Sequence, residues 1–243
     1  MIDLTKRQTE ILQAIIKEYI ETAEPVGSET LEKKYEIGVS PATIRNEMAQ
    51  LAQAGLLEKP HPSAGRVPTP MSLKFYISQL MDEQELSVAE EVGVKERIWD
   101  YRNQKMRLLR EAAKILADKT NLLSIVTTSE GTIYHSGYAN ILSSPEFFDI
   151  DVTREVLQLI DDIERMNQLF EKTYSEESVH ILLGDELETP FLKPCGVVFT
   201  KFQSRSGVQG NVGIIGPCRI DYSQTIPQIK YIGKLIEEII RDW

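Results

Sequence analysis

The chain has only two cysteines and three histidines among 243 residues, too few for a disulfide framework and thin material for a metal centre. Cys195 and Cys218 sit in separate apolar, strand-like stretches and are expected to be packing residues. His61, His135 and His180 show no metal-ligand spacing. No apolar run reaches the about 18 residues a membrane span needs, and no signal-peptide pattern opens the chain, so a cytoplasmic protein without membrane contact is expected. Glycine-rich phosphate loops, nucleophile elbows and zinc patterns are missing as well, which argues against an enzyme and against a bound cofactor or metal. A surplus of positive charge is also lacking: 27 Lys and Arg face 37 Asp and Glu, for a net charge of −10.

That acidity is unevenly spread. Residues 1–80 hold nine basic and ten acidic side chains, while the rest of the chain holds 18 and 27. Within 40–76 the balance turns positive, with Arg45, Lys59, Arg66 and Lys74 against Glu47 and Glu58. A hydrophobic content of 42% and a charged content of 26% are ordinary for a globular protein, and the length suits one large or two smaller domains.

The positive stretch is also the most structured one to read. Ser40 is a good N-cap, Pro41 fits the first helical position, and Gly55 stands where a helix end wants a left-handed residue. On a helical wheel Ile44, Met48 and Leu51 share one side. The other side carries Ala42, Asn46 and Ala49, flanked by Thr43, Arg45 and Gln50. Small residues there permit close approach, Asn can pair with adenine, Arg with guanine, and Ala and the Thr methyl suit thymine methyls. Before it, Thr5 to Glu21 reads as an amphipathic helix opened by a Thr5/Gln8 capping box. Ser28 is placed to cap a second short helix through Tyr35. The connector Glu36-Ile37-Gly38-Val39 then leads tightly into the Ser40 helix, a helix-turn-helix pattern. After it, Leu56–Lys59 and Arg66–Pro68 read as two short strands around the tip Pro60-His61-Pro62-Ser63-Ala64-Gly65, a wing. The candidate DNA-binding residues are therefore Ser40, Ala42, Thr43, Arg45, Asn46, Ala49 and Gln50 on the helix. Lys59, His61, Ser63, Gly65 and Arg66 are their counterparts on the wing.

These segments carry a family resemblance. GSETL (Gly27–Leu31), SPATIRNEM (Ser40–Met48), GLLEKPHPSAGRVPT (Gly55–Thr69) and Phe75-Tyr76 closely resemble the heat-inducible transcription repressor HrcA family. Two further patches do so too: Ala139-Asn140-Ile141-Leu142 with Pro145-Glu146-Phe147, and Gly213-Ile214-Ile215-Gly216-Pro217 with Arg219-Ile220-Asp221-Tyr222 and Ile226-Pro227. The resemblance implies a repressor of chaperone genes that holds an inverted-repeat operator on double-stranded DNA, is released on heat shock, and depends on the chaperonin GroEL. Members of that family usually carry a dimerising domain inserted into a GAF-like domain. Here Leu122–Thr128 leads to Tyr138-Ala139-Asn140 with only residues 129–137 between, which leaves no room for the insertion.

The fold class expected is α+β: an N-terminal winged helix-turn-helix (1–81), a polar linker and one long helix (82–120), and a GAF-like α+β domain (121–243). Val88 to Lys119 reads as a continuous helix, either with a near-heptad seam at Glu91, Val94, Ile98, Tyr101, Lys105, Leu108, Ala112 and Ile115 or as a connecting helix laid against the C-terminal domain, since Trp99, Met106, Leu109 and Leu116 give it a second apolar side. Two reading heads are wanted for a palindrome, and few cations face the phosphates, so a homodimer is expected through Ile98, Tyr101, Leu108 and Ile115. Strands are expected at Leu122–Thr128, Thr132–Ser136, Val179–Gly184, Gly196–Ser204 and Gln209–Ile215, with helices at Val152–Thr173 and Ile226–Arg241. A small-molecule-responsive winged-helix regulator of other genes remains the alternative, although no ligand constellation is legible.

Overall fold

A computed structural model of the chain describes residues 4–172, 178–205 and 207–241. They fall into two compact units that divide between Asp82 and Glu83.

The first unit is built on three helices. α1 (Lys6–Thr22) opens with the expected capping box, in which Thr5 and Gln8 satisfy each other's backbone N–H groups, and it buries Ile11, Leu12, Ile15 and Ile16. α2 (Ser28–Lys34) differs from expectation at its start: Gly27 is the N-cap and supplies no side-chain bond, while Ser28 is drawn inside the helix and buried. α3 (Pro41–Gln53) begins on Ser40, whose hydroxyl accepts the Thr43 N–H at 3.3 Å, and buries Ile44, Met48 and Leu51. Gly55 then reverses the chain with φ +76°, a conformation that glycine adopts without steric cost.

β1 (Leu57–Glu58) and β2 (Val67–Pro68) pair antiparallel, and Val26 bridges to Arg66 on the other side through two backbone bonds of 2.9 Å. α4 (Pro70–Phe75) closes the unit and runs on into a π-helical turn, Tyr76–Leu80. Glu18 of α1 and Lys34 of α2 meet at 2.6 Å, and the Tyr35 hydroxyl donates to the same carboxylate at 3.0 Å. Burial first, and the hydrogen bond to Glu18 second, push the Tyr35 phenol up to about 12.

In the second unit the expected single long helix is a helical hairpin. α5 (Val88–Trp99) stops at the polar stretch 100–104, and α6 (Lys105–Thr120) runs back along it. Glu90 pairs with Lys119 at 3.2 Å and Arg97 with Glu111 at 2.6 Å, which fixes the antiparallel register. A straight helix would leave Val94 and Ile98 exposed; the fold-back buries both.

A five-stranded antiparallel sheet follows, in the order β4-β3-β7-β6-β5. Its strands are β3 (Leu123–Thr128), β4 (Thr132–Ser136), β5 (His180–Leu183), β6 (Cys195–Gln203) and β7 (Gln209–Pro217). One face, with Leu123, Ile125, Val197, Phe199 and Ile215, packs on α8 (Ile150–Asp161) and α9 (Ile163–Glu171). The short α7 (Tyr138–Ile141) precedes them. The opposite face is covered by α6 and by α10 (Tyr222–Ile240), so the sheet is the middle of three layers.

The single helix expected at Val152–Thr173 is two, because Asp162 leaves helical geometry (φ −108°, ψ 95°) and caps α9 by accepting the Arg165 N–H at 3.0 Å; its expected end, Thr173, lies outside the described residues. α10 starts earlier than expected, on Asp221, and keeps Pro227 inside. A proline has no N–H to offer the carbonyl four residues back. That carbonyl, on Ser223, accepts the Gln84 N–H instead, at 3.0 Å.

Candidate nucleic-acid interface

The packing of α3 decides what it can present. With Ile44, Met48 and Leu51 locked into the core, Ala42, Arg45, Asn46 and Gln50 are exposed, and Thr43 and Ala49 are half-exposed beside them. The cap residue Ser40 is exposed, and its hydroxyl lies 3.1 Å from that of Thr43. The first turn holds no acid, so the positive end of the helix dipole is not neutralised there, a setting that favours an anion such as phosphate.

The one acid of α3 is turned aside. Glu47 is held by Arg7 at 3.5 Å and accepts from the Gln8 side-chain amide at 3.1 Å. The same Gln8 nitrogen donates to the Gln50 side-chain oxygen at 2.9 Å. Gln50 is thereby tethered to α1, while Asn46 keeps its exposed amide. Arg45 leans toward the start of α2, with its guanidinium 3.5 Å from the Ser28 hydroxyl, the long limit of a hydrogen bond. The part played by Arg7, Gln8 and Ser28 escapes a wheel drawn on α3 alone. The only local signal was the capping box, which accounts for Gln8's backbone bonds and not for its reach to α3.

The wing holds its shape through its own backbone. Lys59 reaches across the tip to donate to the Pro62 carbonyl, and the Ala64 N–H donates to the His61 carbonyl at 3.0 Å. His61 and Ser63 are exposed, while Gly65 and Arg66 are half-buried at the base. Gly65 is there because the backbone of Val26 passes close by: a Cβ at that position would stand 2.4 Å from the Val26 carbonyl oxygen. Its place in the site is thus structural, setting how the Arg66 strand lies against Val26.

The expected dimer seam is not available. Ile98, Leu108 and Ile115 are each 0% exposed, folded against their own chain by the α5–α6 hairpin, and Tyr101 is half-buried in the turn between the helices. A side chain already desolvated inside one protomer has no apolar surface left to give to another.

The two C-terminal segments that carry the family resemblance meet in space. Arg219 binds Glu146 through two nitrogens, at 2.6 and 3.2 Å, with both side chains about 85% buried (14% and 15% exposed). Asn140 donates its side-chain amide to the carbonyls of Leu122 at 3.1 Å and Ala117 at 3.3 Å, tying α7 to the α6–β3 junction. Cys218 donates to the Cys195 carbonyl at 2.9 Å, and burial pushes its thiol up to about 12, so it packs as an unreactive neutral group. Among the described residues no cluster of His, Cys, Asp and Glu could hold a metal ion, and no helix is long and apolar enough to cross a membrane.

Comparison with known proteins addresses both units. Residues 3–81 match a family described as a winged helix-turn-helix transcription repressor, HrcA DNA-binding, and residues 76–226 match the HrcA protein C terminal domain. The heat-inducible transcription repressor HrcA of Carboxydothermus hydrogenoformans is 26% identical over 340 aligned positions, covering 99% of this chain and 98% of the relative. That of Acetivibrio thermocellus is 27% identical over 336 positions, covering 97% and 96%. Since this chain has 243 residues, an alignment of 340 positions leaves at least 97 positions of the former relative without a counterpart. Among solved structures, one described as a hypothetical protein at 2.2 Å resolution superposes with a TM-score of 0.77 at 18% identity, over 98% of this chain and 99% of that one. It shares the fold.

Proposed function

The chain belongs to the HrcA family of heat-inducible transcription repressors, and on that footing we propose that it represses heat-shock genes by occupying an inverted-repeat operator in double-stranded DNA. α3 enters the major groove. Asn46 pairs with an adenine and Arg45 with a guanine, while Ala42, Thr43 and Ala49 lie against base edges and thymine methyls. Ser40 and the N-terminal turn of α3 take a phosphate, and Gln50 stays at the edge of the face. Lys59, His61, Ser63 and Arg66 hold the backbone or the adjacent minor groove, with Gly65 shaping the wing.

The observation that carries this reading is the exposed strip on α3 from which the one carboxylate has been withdrawn. Glu47 is engaged by Arg7 and Gln8, so Arg45 and Asn46 face outward with no acid beside them to repel phosphate. The relatives' names add heat induction. The family resemblance adds chaperone genes as targets, release of the operator on heat stress, and GroEL as the partner that maintains the active form, all in the cytoplasm. Repression is by occupancy, without catalysis.

Two copies bind together. Four basic side chains in 40–76 give one head little hold on phosphate, and a symmetric operator wants two heads in fixed relation. Selection of bound duplexes from a random pool is the test. An enriched inverted repeat supports the reading, and a pool without any enriched sequence refutes it.

A further inference from the structure

α5 has two apolar sides, and only one is covered. Val94 and Ile98 are buried in their own unit. On a separate face Val88, Val92, Lys95 and Trp99 follow one another at spacings of four, three and four residues, the repeat of a helix that pairs with another helix. Val88, Val92 and Trp99 are 77%, 47% and 46% exposed. The ridge formed by Val92 and Lys95 has a concavity on either flank. One, of about 280 Å³, lies toward Tyr231, Lys234 and Leu235 of α10; the other, of about 290 Å³, lies toward Glu96 and Trp99. A ridge between two grooves is what close helix packing requires of both partners.

We infer that this face of α5 binds the same face of a second copy of the chain, with the two helices antiparallel. The inference rests on the two-headed reading given above and names its contact surface. A two-fold axis passing level with the midpoint between Gly93 and Val94 sets Val88 of one copy against Trp99 of the other and Val92 against the aliphatic stem of Lys95. Glu91 and Lys95 lie on the same flank of the stripe, so each Glu91 falls beside the other copy's Lys95, giving two ion pairs. A parallel pair would instead set Lys95 against Lys95 on the seam. Antiparallel pairing also opposes the helix dipoles favourably. The surface belongs to the first α-helix of the second unit, which starts at Val88, a few residues after the first unit ends at Asp82.

Sedimentation velocity on the full chain at micromolar concentration tests this. The unmutated chain should sediment as a dimer. Trp99→Glu and Val92→Glu should weaken it on the order of 100-fold, with the circular dichroism spectrum and a cooperative melt retained because both side chains lie at the surface of one copy. Lys95→Glu should weaken it too, and adding Glu91→Lys to that variant should restore it, a rescue that only the antiparallel register gives. A monomeric unmutated chain overturns the inference. So does a dimer that survives Trp99→Glu, in which case Phe148→Glu and Ile150→Glu would test the other exposed apolar face. Duplex selection keeps the two readings separate: no enriched sequence at all sinks the repressor reading, while the sedimentation result still judges α5.

Discussion

Arg219 grips Glu146 through two nitrogens at 2.6 and 3.2 Å, joining sequence segments more than seventy residues apart, with each side chain mostly but not wholly buried. A buried pair of this kind is costly to break from one side, because the surviving charge is left without a partner. Glu146→Ala should destabilise the second unit by about 3 kcal/mol, read as a lower urea midpoint. DNA binding per folded molecule should be preserved, since Glu146 and Arg219 both belong to the second unit and not to the winged helix-turn-helix. Loss of operator affinity in a fully folded Glu146→Ala protein would contradict this placement.

The first unit should be acid-sensitive through Glu18. Its carboxyl is held below the usual carboxylate range chiefly by the Lys34 ammonium, with burial opposing and the Tyr35 hydroxyl assisting. A depressed folded-state value means the stabilisation is full above the unfolded value and is lost as pH falls through the folded one. Unfolding of the first unit should therefore be flat from pH 7 down to the carboxylate range and then ease steeply. Glu18→Gln should lower stability at neutral pH by about 1–2 kcal/mol and flatten the acid limb. Equal acid limbs in the parent and the variant would show that Glu18 is not the group responsible.

On DNA, Asn46 and Arg66 should behave differently. Asn46→Ala should cost about 1–3 kcal/mol on the selected operator and little on unrelated duplex. Arg66→Ala should weaken both and lower the salt slope by about one unit. Fluorescence anisotropy over a range of salt concentrations separates the two patterns. An Asn46→Ala protein that binds the operator as tightly as the parent would remove α3's central amide from the reading face.

Gly65→Ala probes the wing without touching charge. The added carbon would meet the Val26 carbonyl oxygen at 2.4 Å, so the strand carrying Arg66 must move. A stability loss of about 2 kcal/mol is expected, together with weaker binding to all DNA sequences rather than to the operator alone. Unchanged stability and binding would show that the wing base tolerates displacement.

The DNA-reading unit was legible because its signals are local. Ser40, Pro41 and Gly55 start and stop α3 within its own sequence, and Thr5 with Gln8 starts α1. The exposed set on α3 follows from the wheel once Ile44, Met48 and Leu51 are assigned inward. The second unit hid its main feature for the opposite reason. Between Trp99 and Lys105 there is no glycine or proline, and the apolar spacing of α5 continues in phase into α6 because both helices turn that side toward one core. What folds them back is burial of Val94 and Ile98 against the rest of the unit, with the exposed pairs Glu90–Lys119 and Arg97–Glu111 matching the register, and no local pattern announces either. Gln8 is a similar case: its bonds to Glu47 and Gln50 cross about forty residues, so sequence spacing could not reveal how Glu47 is engaged by α1.

Pro227 makes helix regularity and anchoring rivals. By withholding an N–H it leaves the Ser223 carbonyl open, and Gln84, just past the junction between the two units, occupies it; Glu83 beside it pairs with Lys230 of the same helix at 2.5 Å. The most disfavoured residue for a helix interior thus serves as a mooring point for the segment that enters the second unit. Pro227→Ala would hand the carbonyl back to α10, a gain of up to about 3 kcal/mol in helix propensity, and set Gln84 loose. Melting temperature would hold or rise while protease cleavage between Asp82 and Ser87 quickens, so a screen for thermostability would favour the very change that unfastens the incoming chain.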